Sequence, residues 1–363
     1  MKATRTINAL AMLTLAIWIV ISGCSNDAST ILGNDSDTAS RSSKNTISAV
    51  QTSYKGRFKI NTYSTGAVEV YDKNANNKWL ASYTVNCYTV SLDGASRTLT
   101  EGNVSVTHSV WVRTLPAKFT GDVDTTWLSK ALAANTANTS SPDILGIAME
   151  YIAGGSKDAM YGPTSGNTYS EGSDFHDYLQ VNRSYYPYWS STLNKYLNNP
   201  YIDTFEVARA TRMDCSGFMR MIWGYRHSFA GKNYTDTIPL CVNVGTNDGG
   251  VKMPRKSFTI EASAPGIMVF TGHTISTTTN LPKLKIGDLV FFDADAGDGT
   301  QIDHVGMYIG KQANGNYRFI SSRKSNNVGP TFNSDSNGKS ILNNDGTGQY
   351  LGYANSLRSA RRM

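Results

Sequence analysis

The sequence is short of several things, and each shortage narrows what the chain can be. Charged residues make up only 17% of its 363 residues, against 40% hydrophobic, which describes a folded, core-forming chain rather than a disordered one. No dense Lys/Arg cluster is interleaved with aromatics, and a net charge of +6 is mild for this length, so nothing argues for a nucleic-acid partner. Internal repeats are absent. The apolar run Ala9–Ile21 is too short to cross a bilayer comfortably. Only four cysteines and five histidines are present, so thiol and imidazole chemistry has few candidates. The length leaves room for one large domain or two ordinary ones.

The same apolar run suits the core of a signal peptide, since Lys2 and Arg5 precede it and "ISGC" (Ile21–Cys24) follows it. That ending resembles the bacterial lipobox, in which the cysteine sulfur takes a diacylglyceryl group before becoming the mature N-terminus. An ordinary signal peptide with an incidental cysteine is the alternative. Acyl chains contribute roughly 0.8 kcal/mol per buried methylene, so two or three make an anchor. The expected arrangement is a lipoprotein signal peptide over 1–23, lipidation at Cys24, and a location in the cell envelope, outside the cytoplasm and anchored to a membrane. Residues 24–52 are rich in Ser, Asn, Asp and Thr and read as a flexible tether. Cys87 and Cys241 either pair or stay as separate buried thiols.

Residues 53–120 have the texture of a small β domain. "GAVEVY" and "KWLASYTV" flank the polar "DKNANN" as a hairpin, and "NVSVTHSVWV" alternates with His108 among valines. A Thr/Ala/Asn connector follows. Then "SPDILGIAMEYIAGG" predicts a helix, with Ser141 as cap, Pro142 in the first turn and Gly154–Gly155 as the stop. The Tyr/Gly/Ser/Asn-rich stretch 161–205 is too long for a plain loop and suits the lining of a groove. The terminal "RSARRM" reads as a strand at a sheet edge.

The most informative stretch is "RMDCSGFMRMIWGY". Phe218, Ile222 and Tyr225 fall at helical spacing, which puts Cys215 at the N-terminal end of a helix. Backbone N–H groups there stabilise a thiolate. Asp214 reads as the helix cap, or as a partner for a substrate amine. A thiol nucleophile needs an imidazole within reach to take its proton and return it to a leaving amine. His108 lies in the β domain, the helix holds His227 away from the thiol, and His176 and His273 sit in polar stretches. His304 opens a strand, "HVGMYIG", directly after "KIGDLVFFD". A histidine entering an interior strand that faces a helix N-terminus has the required placement.

"DCSGF", "GDLVFF", "DHVGMYIG", "RFIS" and "SLRSARRM", in that order, resemble the NlpC-type cell-wall cysteine peptidases over roughly residues 143–363. The resemblance implies an α+β fold with a papain-like catalytic domain at 140–363, preceded by the small β domain. In such a domain a helix carrying the cysteine packs on an antiparallel sheet carrying the histidine. It also implies hydrolysis of amide bonds in peptidoglycan stem peptides, commonly between D-glutamate and diaminopimelate. Cys215 then corresponds to the nucleophile and His304 to the general base. The family's third, imidazole-orienting residue falls on Ser321, where His, Asn or Gln is usual. Plain antiparallel pairing sets His304 opposite an odd-numbered residue, Ser321 or Arg323, and an arginine there would oppose imidazolium formation. Beside the backbone N–H of Cys215, the nearest match to the family's oxyanion-stabilising tyrosine is Tyr161, in "AMYGPTSG".

No cofactor or metal is implied. "DADAGDGTQID" (293–303) departs from a calcium loop in its acidic and glycine positions. The expected partners are peptidoglycan peptides and, through the lipidated N-terminus, a membrane. The alternatives are a scaffold or peptidoglycan-binding lipoprotein with little turnover, or an amide or acyl transferase using the same Cys–His pair.

Overall fold

The structure is a computed structural model. It describes residues 50–136, 142–152, 188–190, 195–197, 214–223, 253–254, 256–272, 275–295, 297–323, 329–333, 340–343 and 352–363. The chain divides into residues 1–47 and 48–363, and all described residues belong to the second unit.

Two antiparallel six-stranded sheets organise this unit. The first is a meander of β1 (Val50–Lys55), β2 (Phe58–Tyr63), β3 (Ala67–Asp72), β4 (Lys78–Thr84), β5 (Thr89–Glu101) and β6 (Val104–Thr114). The polar "DKNANN" does turn the chain between β3 and β4, with left-handed Asn76 and Asn77 closing the turn. Side chains alternate along β3, so Val68 and Val70 are buried while Glu69 and Tyr71 reach the other face.

The connector after this sheet holds a helix that its composition concealed, α1 (Thr125–Ala134), capped where Asp124 accepts from the N–H groups of Thr126 and Trp127. Its buried residues, Trp127, Leu128 and Ala131, cover Val70, Leu92 and Trp111 of the sheet. Three apolar contacts make too sparse a stripe to announce a helix by periodicity.

The second sheet has the order β13 (Pro330–Thr331), β12 (Tyr317–Ser322), β11 (His304–Lys311), β10 (Leu289–Phe292), β14 (Leu357–Arg362), β9 (Ile267–Thr271). "RSARRM" is therefore a strand but not an edge: β14 is hydrogen-bonded to β10 on one side and β9 on the other. Its arginines tolerate that interior position because each finds oxygen partners. Arg361 donates to the carbonyls of Glu261 and Ala264, and Arg362 makes a two-pronged pair with Asp288 at 2.9 and 2.7 Å.

Helix α2 (Ile144–Met149) packs on β6 and on α3 (Cys215–Trp223), which itself packs on β11 and β12 of the second sheet, while α4 (Ser257–Ser263) meets β11 and β14. The cap of α2 is Asp143 rather than Ser141: its carboxylate accepts from Gly146 N–H at 2.9 Å. The helix ends at Glu150, before the glycines. Asp143 also binds the Arg97 guanidinium at 2.7 and 2.6 Å and accepts from Val112 N–H. Burial would raise this carboxyl, but Arg97 together with the N–H groups of Val112 and Gly146 holds it below its ordinary value. One carboxylate thus fixes α2 to the β5–β6 hairpin. Leu99, Val104, Val106 and Val112 of that hairpin share a core with Phe218, Met219, Val305 and Met307. The two sheets form one body. A short ribbon of β7 (Tyr188–Ser190) and β8 (Lys195–Leu197), two short 3-10 turns (Lys73–Ala75 and Leu281–Lys283) and a last helix, α5 (Gly352–Ser356), complete the described elements.

Candidate active site

Asp214 is the cap of α3, since its carboxylate oxygen accepts from Gly217 N–H at 2.6 Å and from Ser216 Oγ at 3.1 Å. Such a cap fixes where the helix starts and sets Cys215 in its first turn, among the N–H groups at the positive end of the helix dipole. Cys215 is 5% exposed. Its Sγ lies 3.9 Å from the carbonyl oxygen of Asp303, the residue before His304. The helix start and the start of β11 therefore meet at these two residues.

His304 is buried, paired with Phe292 across β10–β11. Its Nε2 stands 3.1 Å from Ser321 Oγ. The register explains how the ring reaches that hydroxyl. Met307 pairs with Ile320 and Tyr308 with Phe319, so extending the ladder sets Gly306 opposite Ser321 and His304 opposite Arg323. Ser321 is the diagonal neighbour of His304, on the same face. The place between them is left open by Gly306, where a Cβ would come within 2.8 Å of Ile320 O and 3.2 Å of Ser321 Cβ. With Nε2–H donating to the serine oxygen, Nδ1 is left as the basic nitrogen of the ring.

Burial first, and the Arg323 guanidinium second, push the imidazole of His304 down to about 3. It is a neutral base near pH 7. Arg323 is itself almost fully buried; its Nη2 donates to Ser340 Oγ at 2.7 Å, and burial lowers its own proton affinity to about 10.

Tyr353, in α5, packs against the imidazole beside Phe292, and nothing in the sequence pattern singled it out. Its ring centroid is 4.9 Å from that of His304 and 5.0 Å from Phe292, and the Arg323 guanidinium sits 4.5 Å over its face. The signal lies in the topology. Phe292 pairs with His304 on one side and with Leu357 on the other, so the residues just before Leu357 must pass the histidine.

Behind Ser321, Thr331 of β13 pairs with it. That segment is held by the first sheet: Glu101 accepts from Thr331 Oγ1 at 2.8 Å and from the N–H groups of Phe332 and Asn333 at 2.7 and 3.0 Å.

Of the other residues singled out, His108 is half-buried within β6, where burial and then Arg97 lower its imidazole to about 4. Cys87 is a buried thiol that donates to Arg362 O at 3.6 Å, with burial pushing it up to about 12. It is not in a disulfide. Cys24, Tyr161, His176, His227, Cys241 and His273 lie outside the described residues. Asp293, Asp298 and Asp303 gather in the loop before His304, but Asp293 is paired with Arg358, and Asp303 accepts from the N–H groups of Ala294 and Asp295.

Comparison with known proteins gives a family for this region. Residues 203–342 match the model of the NlpC/P60 family. Similar solved structures include NlpC1 from Trichomonas vaginalis, at 12% identity and a TM-score of 0.27, covering 88% of this chain and 90% of that one. NlpC2 from the same organism is 13% identical with a TM-score of 0.24, covering 84% of each chain. No curated protein matches the chain. NlpC/P60 proteins are typically cysteine peptidases or amidases of the cell wall. The matched segment begins after the first sheet and stops before α5, and it contains Cys215, His304 and Ser321.

Proposed function

We propose that the chain is a cysteine hydrolase of peptidoglycan stem peptides, cutting the D-glutamyl–diaminopimelate type of amide bond. The observation that carries this reading is the arrangement at the start of β11: the thiol of a capped helix N-terminus, an imidazole one residue from its nearest carbonyl contact, and a hydroxyl on that imidazole. In the proposed reaction Cys215 Sγ attacks the scissile carbonyl carbon as its proton passes to His304 Nδ1. The Cys215 backbone N–H and Tyr161 are the candidate donors to the oxyanion. The C–N bond then breaks, the amine leaves with the proton from His304, and an acyl thioester remains on Cys215. Water, deprotonated by the same imidazole, attacks the thioester and releases the carboxylic acid. Because the imidazole is a weak base, a resting thiolate–imidazolium pair is disfavoured, and proton transfer accompanies attack.

Incubating purified peptidoglycan fragments with the intact protein and with its Cys215→Ala variant tests the reading by mass spectrometry. Stem peptides cut between D-glutamate and diaminopimelate with the intact thiol, and uncut with the variant, support it; uncut fragments with both proteins, across several wall chemistries, refute it.

A second reading, a wall-binding lipoprotein with little turnover, is favoured by one feature, the low basicity of His304 between burial and Arg323. For either reading we place the protein at the cell envelope. Cys24 carries the lipid there, and residues 24–52 tether the folded unit to the membrane. Incorporation of labelled fatty acid in the intact protein and its loss in Cys24→Ala test the anchor.

A further inference from the structure

Ser321 holds the imidazole of His304 at one atom, and a hydroxyl contact leaves the ring free to tilt about that bond. The fold supplies a second restraint. His304 packs against two touching rings, Phe292 at 5.8 Å and Tyr353 at 4.9 Å, which are 5.0 Å from each other, and the Arg323 guanidinium sits 4.5 Å over the ring of Tyr353. Arg323 cannot drift, because it is buried and bonded to Ser340. We propose that Tyr353, which lies outside the matched family segment, is a positioning residue that fixes the plane of the His304 ring while Ser321 fixes its Nε2.

The arrangement also bears on charge. Continuing the strand register sets Arg323 directly across from His304, where a bare guanidinium would oppose imidazolium formation. The electron-rich face of Tyr353 holds the guanidinium at 4.5 Å, and Arg323 still lowers the proton affinity of the imidazole. The groups shown against the imidazole are Ser321 from β12, Tyr353 from α5 and Phe292 from β10, with Arg323 acting on it electrostatically. Tyr353 is also within electrostatic range of Cys215 and Asp303, and its phenol makes no hydrogen bond among the described residues. Positioning is thus assigned to the ring and not to the hydroxyl.

This inference rests on the proposed pairing of Cys215 with His304, and its test needs no peptidoglycan, so it can fail or succeed independently of the substrate. The full chain is treated with iodoacetamide, and the alkylation rate of Cys215 is followed by peptide mass spectrometry from pH 6 to beyond the ordinary thiol range of about 8.5. Tyr353→Leu, with Tyr353→Met as a second ring-free variant, is expected to slow alkylation about tenfold at pH 7. At high pH the thiol ionises without help, and both variants should there match the parent within about twofold. Tyr353→Phe keeps the ring and should retain at least half the parent rate at pH 7. Parent-like rates in the ring-free variants at pH 7 would overturn the proposal. So would an equal loss at all pH values, which marks a general structural defect. A tenfold loss in Tyr353→Phe overturns it as well, by assigning the role to the hydroxyl, and that result is decisive even where the ring-free variants do not fold.

Discussion

At the scale of single residues, the weakest link in the site is the contact between His304 and Ser321. A neutral hydrogen bond is worth about 1 kcal/mol net, or about fivefold in rate. Ser321→Ala should therefore cost about fivefold in kcat and leave KM nearly unchanged, as steady-state kinetics on a cut stem peptide would show; a loss beyond a hundredfold would mean that Ser321 does more than orient. Replacing His304 removes the proposed base and should cost at least about 10²-fold. Much of this was legible beforehand: in "DCSGF" and "DHVGMYIG" residue types and order carry the chemistry, and strand parity alone limited the third partner to Ser321 or Arg323. Tyr353 was not legible, because its place beside the imidazole comes from the insertion of β14 between β10 and β9. No local pattern encodes that pairing.

At the scale of elements, the site is the meeting of one helix start and one strand start, and each has a device that fixes its end. For α3 the device is Asp214, and Asp214→Ala should lower stability by about 0.5–2 kcal/mol, readable in chemical denaturation. For β11 it is Gly306. A methyl group there would meet Ile320 O at 2.8 Å and Phe319 Cδ2 at 2.7 Å, so Gly306→Ala must push β12 away and carry Ser321 off the imidazole. The expected result is a destabilised protein with slowed alkylation of Cys215 at pH 7; unchanged stability and thiol reactivity would show that the strands are not so closely held. Helix boundaries were harder to read. Asp143 displaced Ser141 as the cap of α2 because its carboxylate also answers Arg97 from β5, a long-range demand that helix-start signals do not contain. The helix at 125–134 was hidden for a different reason, its short and interrupted apolar face.

At the scale of the whole molecule, the first sheet is part of the structure that supports the site. Glu101 reaches from the β5–β6 hairpin to Thr331, Phe332 and Asn333, at the end of the strand that is paired with Ser321. Glu101→Ala would leave those donors without their acceptor, at a cost of about 1–3 kcal/mol, and should lower both the melting temperature and the reactivity of Cys215. A fall in melting temperature with unchanged thiol reactivity would confine Glu101 to stability. The buried imidazoles give the molecule an acid limit. His304 and His108 are depressed to about 3 and about 4 in the folded protein, against about 6.5 when unfolded. Their contribution to stability is complete above about pH 6.5 and is lost as pH falls toward those values, by up to about 1.4 kcal/mol per pH unit for each ring. Thermal melts should therefore fall from pH 7 to pH 5, and less steeply in His108→Leu. The central claim, that Cys215 is the nucleophile of an amide hydrolase, is tested most directly by quenching the protein with acid during turnover of a γ-D-glutamyl–diaminopimelate peptide and mapping its mass. An acyl group of the mass of the glutamyl half, on the peptide containing Cys215, is the predicted result. Cleavage that proceeds with no adduct there, and persists in Cys215→Ala, would contradict it.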